Sequence, residues 1–347
     1  MNLKNTELLL KSLKSDGELD TYAISVQCGG QMAHLFSDCA DADTLFDVAS
    51  MGKILVTAPL ILRLAGEGVI ALEDPLTRFF PDVPPDKAAI TVRQLLTHTS
   101  GIVRIEFPPE ITDADLDAVD ACILRVPLAF RPGTDYRYSC NGYILLGHIL
   151  ERVTGRPLDR LFRETLFQPL GLTRTCFAPA VDTPNLAVCC EREQVGSTPV
   201  DDANVRKLHG VAGSGANFWT VRDIEAFTQA VWDRSPALYA PSLFAQAEQD
   251  ATPHFAQGQG LGYEIVDHRF PQTGRLFPAG SFGHTGHTGQ SLFLCRENKL
   301  AVLLLTNATR CQNRRSGWRG YDYGRVMEIR RLLHNAIADD LAKANLL

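Results

Sequence analysis

The run Ile54-Leu55-Val56-Thr57-Ala58-Pro59-Leu60-Ile61-Leu62 constrains the fold more than any other stretch of the chain. A helix over it is apolar nearly all round, and such a helix has to be covered on every side, as between two layers. Gly66-Glu67-Gly68 ends it. Pro59 stands inside it without an N–H to give, so it should kink or shift the helix. Just upstream lies Ser50-Met51-Gly52-Lys53, an S-x-x-K. If the helix begins at about Ser50, positions i and i+3 share a face and the lysine amine lies beside the serine hydroxyl. A serine alcohol is a weak nucleophile until a base takes its proton. A desolvated lysine, or one near another cation, is neutral enough to be that base. The helix start adds backbone N–H groups and a positive dipole end. Alone, the motif is short enough to arise by chance and Ser50 reads as an N-cap, so its partners must be sought elsewhere.

A chain of 347 residues makes one large domain or two closely joined ones. Lys+Arg 34 against Asp+Glu 40 gives −6 with no basic run, which argues against nucleic acid as a partner. The N-terminus reads as a short amphipathic helix (residues 2–14) rather than a signal peptide, and no stretch approaches 18 consecutive apolar residues, so no membrane span is expected. Nine cysteines, an odd number without a C-x-x-C pair, fit a reduced, cytoplasmic protein.

The ends of the chain carry strand patterns. Residues 21–28 and 32–36 read as a hairpin closed by Gly29-Gly30. Residues 291–295 and 300–306 flank a turn at Glu297-Asn298, and a last helix is expected over about 324–345. Between them the pattern is helical, with a capped helix from Ile90 ending at Gly101 and another over 144–153 closed by Gly155. The reading is α/β (α+β): an antiparallel sheet flanked by N- and C-terminal helices, interrupted by a mostly helical insertion. The sheet domain is expected over 1–72 and 221–347, the insertion over 73–220, and an active site in the cleft between them.

Several motifs fall in a recognisable order. They are Phe46-Asp47-Val48-Ala49-Ser50-x-x-Lys53, Gly68 to Pro75 with Phe80-Pro81, Leu95-Leu96-Thr97-His98-Thr99-Ser100-Gly101, and Pro132-Gly133-Thr134 with Tyr138-Ser139 and Gly142 to Gly155. Val200 to Asn204 with Gly210 to Gly213, and Gly283-His284-Thr285-Gly286-His287-Thr288-Gly289, complete the set. This series, over about 46–307, resembles the class C β-lactamase-related serine hydrolases, which include penicillin-binding proteins, D-aminopeptidases and esterases of the β-lactamase fold. The resemblance implies Ser50 as the acylated nucleophile and Lys53 as its base. Tyr138 matches the tyrosine of the family's Y-x-N motif, helping to deprotonate Ser50 and then returning a proton to the leaving group. His284-Thr285-Gly286 is similar to the third motif, more often K-T-G. On an edge strand beside Ser50, His284 would tune Tyr138 or bind a carboxylate or carbonyl. The oxyanion hole would be the N–H of Ser50 and of the residue past Gly286, His287.

One departure stands out: Tyr138-Ser139-Cys140 has cysteine where the family has asparagine. The rival register, Ser139-Cys140-Asn141, gives an S-x-N; the spacing of Gly142 to Gly147 favours Tyr138. Cysteine is a poor donor and acceptor, which puts amide or β-lactam turnover in doubt more than ester cleavage; Asn141 is the candidate substitute. His98 reads as structural, Asp201 and Asp202 as a loop at the cleft rim, and Asn307 as a cleft residue. His284 and His287, three apart on a strand, face opposite sides and do not make a metal site; no cofactor is implied. No serine lies in G-x-S-x-G, which excludes an α/β-hydrolase elbow. The expected function is a serine hydrolase acting through an acyl-enzyme on small carboxylic esters or D-amino acid amides or peptides. The alternatives are a DD-peptidase or β-lactamase proper and, from another class, a non-catalytic scaffold. The expected partner is a small-molecule or short-peptide substrate, with specificity set by loops 103–130 and 178–215.

Overall fold

Two glycines with left-handed φ, Gly29 at +56° and Gly30 at +80°, close the first hairpin in a two-residue turn whose twist suits the strands either side. A computed structural model of the chain describes residues 1–347 except 112–114, 190–197, 318–319 and 321. The hairpin strands are β1 (Tyr22–Cys28) and β2 (Gln31–Phe36), paired from Ala23↔Phe36 to Cys28↔Gln31. Residues 46–47, 176–177 and 217–219 form the short strands β3, β4 and β5. Then follow β6 (Gly258–Gln259), β7 (Glu264–Ile265), β8 (Phe282–Thr285), β9 (Ser291–Cys295) and β10 (Leu300–Thr306). Seven of them make one antiparallel sheet in the order β2-β1-β10-β9-β8-β7-β6, and β3-β5-β4 make a small second sheet. The fold is mixed α/β with an antiparallel main sheet.

The continuous apolar run of β10 has a simple cause: both faces of the sheet are covered. Ala301, Leu303 and Leu305 join the core shared with the helical region, while Leu300, Val302 and Leu304 join a second core. On that second face lie the N-terminal helix Lys4–Ser15 and the C-terminal helix Tyr323–Lys343. The latter buries Val326, Ile329, Leu333, Ile337 and Leu341, a 3.6-residue stripe. The Asp340 carboxylate accepts from the N–H groups of Asn5 and Thr6, both at 2.9 Å, and so ties the two helices together.

The apolar run opening at Ser50 is buried on all sides, but it is not a helix from Ser50 onward. Ala49–Met51 is a 3-10 turn, Lys53–Thr57 a π-turn, and only Ala58–Gly66 is α-helical. Pro59 gives the reason. It sits in the first turn of the α-helix, where no N–H is needed, and the N–H of Ala58 reaches back to the Lys53 carbonyl in the wider π pattern. Ala49–Gly66 is long and apolar enough to cross a membrane by composition alone, with mean hydropathy 1.3 over 18 residues, yet 72% of it is buried inside the protein. The helix expected to run to Gly101 is shorter: its capping box at Thr91 and Gln94 is present, but it spans Val92–Leu96, and His98 takes the left-handed conformation, at φ 56°.

Candidate active site

Asp47 shapes the turn that carries Ser50. Its Oδ1 accepts from the N–H of Ala49 at 2.8 Å and its Oδ2 from the N–H of Asp201 at 3.1 Å. Its carbonyl accepts from Gln290 Nε2 at 2.9 Å, which anchors the turn to the main sheet. Ala49 is thereby held at φ 48°, a conformation costly for a residue with a Cβ. The segment Gly213–Asn217 packs against the same turn so tightly that glycine is required on both sides. A Cβ on Gly52 would lie 2.9 Å from Gly215 Cα, and one on Gly215 would lie 2.2 Å from the Ala49 carbonyl oxygen.

This packing fixes the reactive groups. Lys53, fully buried, donates to Ser50 Oγ at 2.9 Å and to the Ser214 carbonyl at 2.6 Å, with Cys140 Sγ at 3.6 Å. Tyr138 donates its hydroxyl to Ser50 Oγ at 2.7 Å. Burial pulls the Lys53 ammonium below its usual range, against the opposing pull of Cys140, Asp202 and Glu264, and pushes the Tyr138 phenol well above its own. Loss of a proton from the lysine is thereby eased, and loss of one from the tyrosine opposed.

His98 positions Tyr138. Its ring nitrogen Nδ1 accepts from the N–H of Ser139 at 3.2 Å, and its carbonyl accepts from the N–H of Arg137 at 3.0 Å. The ring lies against Tyr138 and Tyr143, with centroids 4.5 and 5.1 Å away. Burial lowers its pKa well below the ordinary histidine value, so it stays a neutral acceptor.

The open side of Ser50 faces a cavity of about 340 Å³ whose wall includes Tyr138, Cys140, Asp202, Glu264, Thr285 and His287. Gly286 follows β8 and rests against the Val48 carbonyl; a Cβ there would lie 2.7 Å from it. Arg330, buried in the C-terminal helix, donates to the Gly286 carbonyl at 2.7 Å and holds the turn from behind. The backbone N–H groups of Ser50 and His287 have no protein acceptor among the described residues.

The chain matches the beta-lactamase family description over residues 25–322, most of its length. The chain belongs to the beta-lactamase family. Among curated relatives of this beta-lactamase-family chain, proteins of Escherichia coli O157:H7 and K12 named "Putative D-alanyl-D-alanine carboxypeptidase" are each 28% identical, over 77% of this chain and 70% of theirs. Solved structures share the fold. The octameric penicillin-binding protein homologue from Pyrococcus abyssi superposes with TM-score 0.76 at 20% identity, over 99% of this chain and 78% of its own. A class C beta lactamase from Rhodobacter sphaeroides gives 0.73 at 18%, over 97% and 99%. The hydrolase EstCE1, described as having promiscuous acyltransferase activity, gives 0.73 at 19%, over 96% and 98%.

Within this beta-lactamase-family site, Ser50, Lys53 and Tyr138 converge; of the two registers, Tyr138 is the one whose side chain reaches Ser50. Three expectations need correcting: the edge position of β8, the substitute part of Asn141 and the cleft position of Asn307. β8 is not an edge strand, since β7 and β6 lie outside it. His284 on β8 is buried and is not in the cavity wall. Its Nδ1 lies 2.6 Å from the Thr285 carbonyl, which can only accept, so Nδ1 carries the proton. Burial and the nearby Lys53 hold its pKa at about 3, leaving a neutral ring with its centroid 6.1 Å from that of Tyr138. Asn141 is fully buried in the helix Cys140–Thr154, outside the cavity wall, and does not take the place that Cys140 leaves. Asn307 accepts from the N–H of Thr21 at 3.1 Å and also bonds Asp20, linking the end of β10 to the start of β1 rather than lining the cleft.

His287 points away from His284 and bonds Asp201. Burial opposes its charge, but the Asp201 bond and the carboxylates of Asp201, Asp47 and Asp202 prevail and raise its pKa to about 9. Asp202 lines the cavity and caps the helix Ala203–Lys207. Among the described residues no cluster of His, Cys, Asp and Glu is placed to hold a metal ion. Residues 112–114 and 190–197 of the two specificity loops lie outside the described residues. Sequence reasoning missed Glu264, the Ser214 carbonyl and the positioning part of His98.

Proposed function

We propose that this chain is an S-x-x-K serine hydrolase that works through an acyl-enzyme. The observation that carries the reading is the single hydroxyl of Ser50 bonded at once to Lys53 Nζ at 2.9 Å and Tyr138 Oη at 2.7 Å, at the mouth of a cavity. Neutral Lys53 takes the Ser50 proton as the oxygen attacks the substrate carbonyl. The developing oxyanion is received by the N–H groups of Ser50 and His287, which have no competing acceptor among the described residues. Tyr138, kept protonated by its burial, gives its proton to the leaving group and recovers one through Lys53. Water then repeats the sequence on the acyl-enzyme, with the roles reversed.

The substrate class is a small carboxylic ester, or a D-amino acid amide or peptide. Cys140 beside Lys53 and Tyr138 favours the ester. A thiol at 3.6 Å from the lysine is a weak partner that cannot hold a substrate amide as a carboxamide would. The names of the Escherichia coli relatives support the second reading, a DD-peptidase. The eight described cysteines are all free thiols, in keeping with a reducing, cytoplasmic setting.

The test is a panel of p-nitrophenyl esters and D-amino acid p-nitroanilides with wild type and Ser50→Ala. Hydrolysis by wild type, reduced at least about a thousandfold in Ser50→Ala, is the expected result. An unchanged trace rate in Ser50→Ala would leave the non-catalytic scaffold as the reading.

A further inference from the structure

The cavity beside Ser50 holds a carboxylate that the acyl-transfer chemistry does not use. Glu264, on β7, is 5% exposed and lies in the cavity wall. Its Oε2 accepts from the N–H of Thr285 at 2.9 Å and its Oε1 from the Thr285 hydroxyl at 3.2 Å. Both donors belong to the end of β8 nearest Ser50, on the segment that also lines the cavity. They are the groups a substrate carboxylate would seek, and the protein's own carboxylate already takes them.

The charge around Glu264 is only partly balanced. No lysine, arginine or histidine lies within ion-pair distance of it among the described residues. Lys53 and Arg330 act on it from further off, Lys53 engaged with Ser50 and Ser214, Arg330 with Gln272 and the Gly286 carbonyl. The other charged groups in the wall are Arg104 facing Asp202 at 3.9 Å, and His287 paired with Asp201. Burial raises the Glu264 pKa to about 7, the mark of a carboxylate short of counter-charge.

We propose that Glu264 is the specificity-determining residue of this pocket: it excludes substrates that present a free carboxylate there and selects those that present an ammonium or a neutral group. Two carboxylates a few ångströms apart in a poorly solvated site repel strongly, whereas an ammonium supplies the missing counter-charge. The inference rests on the proposed hydrolase reading and sharpens it. Among the candidate substrates it favours esters and amides of acyl groups bearing an amine over peptides ending in a free carboxylate.

Three p-nitrophenyl esters of equal chain length test it: hexanoate, 6-aminohexanoate and the adipate monoester, compared by kcat/KM in wild type and Glu264→Gln at pH 8. The substituted carboxamide would keep an acceptor for the Thr285 N–H, so the strand end is retained. The wild type is expected to prefer the ammonium ester over the carboxylate ester at least tenfold, each normalised to hexanoate, and Glu264→Gln to lose at least tenfold of that ratio. Calorimetric titration of Ser50→Ala and of Ser50→Ala with Glu264→Gln, using hexylammonium and hexanoate as probes, reads the same preference without turnover. A chain that hydrolyses none of the esters but binds hexylammonium tenfold tighter than hexanoate refutes the hydrolase reading and sustains the part assigned to Glu264. A preference that is absent, reversed or retained in Glu264→Gln overturns that part.

Discussion

Gly215→Ala should disable the site without touching any reactive group. Gly215 has φ +137°, a conformation side chains rarely adopt, and a Cβ there would meet the Ala49 carbonyl oxygen at 2.2 Å and the Ser50 nitrogen at 3.3 Å. Ordinary contact begins near 3.4 Å, so the two backbones must part by about 1.2 Å, and no rotamer change relieves it. Neither side moves freely. The N–H of Ala49 is held by Asp47 at 2.8 Å and that of Val48 by the Asn217 carbonyl at 3.0 Å. If the loop retreats instead, the Ser214 carbonyl leaves Lys53, which it meets at 2.6 Å. A displacement of ~1 Å between catalytic groups costs on the order of a hundredfold in rate. The strain and clash should destabilise the protein by about 2–4 kcal/mol. The assay is kcat on p-nitrophenyl butanoate beside urea unfolding followed by circular dichroism. Gly155→Ala is the control. It has φ +66° with nothing within 4 Å of its Cβ, so only the left-handed penalty of about 1 kcal/mol applies and kcat should hold. A Gly215→Ala protein with wild-type kcat and an unshifted midpoint would show that the two backbones have room for the methyl group and do not hold the site in place.

Other substitutions separate the parts of the site. Lys53→Met should lower kcat by about 10²–10⁴-fold, the range for loss of a general base, with little change in KM; steady-state kinetics on the same ester decides it. His98→Ala removes the acceptor for Ser139 and the platform under Tyr138, so kcat should fall about 10–100-fold, with KM nearly unchanged. For His287 the folded pKa is raised above the unfolded value of about 6.5. Its contribution to stability is therefore complete below pH 6.5 and is lost as pH rises through about 9. The stability gap between wild type and Asp201→Asn, from urea unfolding at several pH values, should be widest near pH 6 and narrow toward pH 9.5. A gap constant across that window would contradict the assigned ion pair.

Much of this architecture was legible in the residues. Gly29-Gly30 announced the first hairpin, the turn at Glu297-Asn298 announced the strand pair 291–295 and 300–306, and Ser50 with Lys53 pointed to the turn at the cavity mouth. What escaped has physical causes. The π-turn at Lys53–Thr57 depends on how Pro59 is accommodated, which a hydrophobic pattern does not encode. Strands β6 and β7 are two residues each, too short to show a period, so β8 looked like an edge. The Lys53 partner at Ser214 is 161 positions away and is a backbone carbonyl, which any residue supplies. Glu264 looks like an ordinary strand-end acid until the fold seats it under Thr285. The helix start just past Tyr138 turns Asn141 into the interior, a direction that one residue of register decides.

If Ser50 is an activated nucleophile held between Lys53 and Tyr138, a serine-directed reagent will find it. The most direct measurement is intact mass after incubation with a fluorophosphonate, with peptide mapping, for wild type and Ser50→Ala. One phosphonyl adduct is expected on wild type, located at Ser50, and none on Ser50→Ala. An unmodified wild type, or an adduct that persists in Ser50→Ala, would contradict that assignment of Ser50.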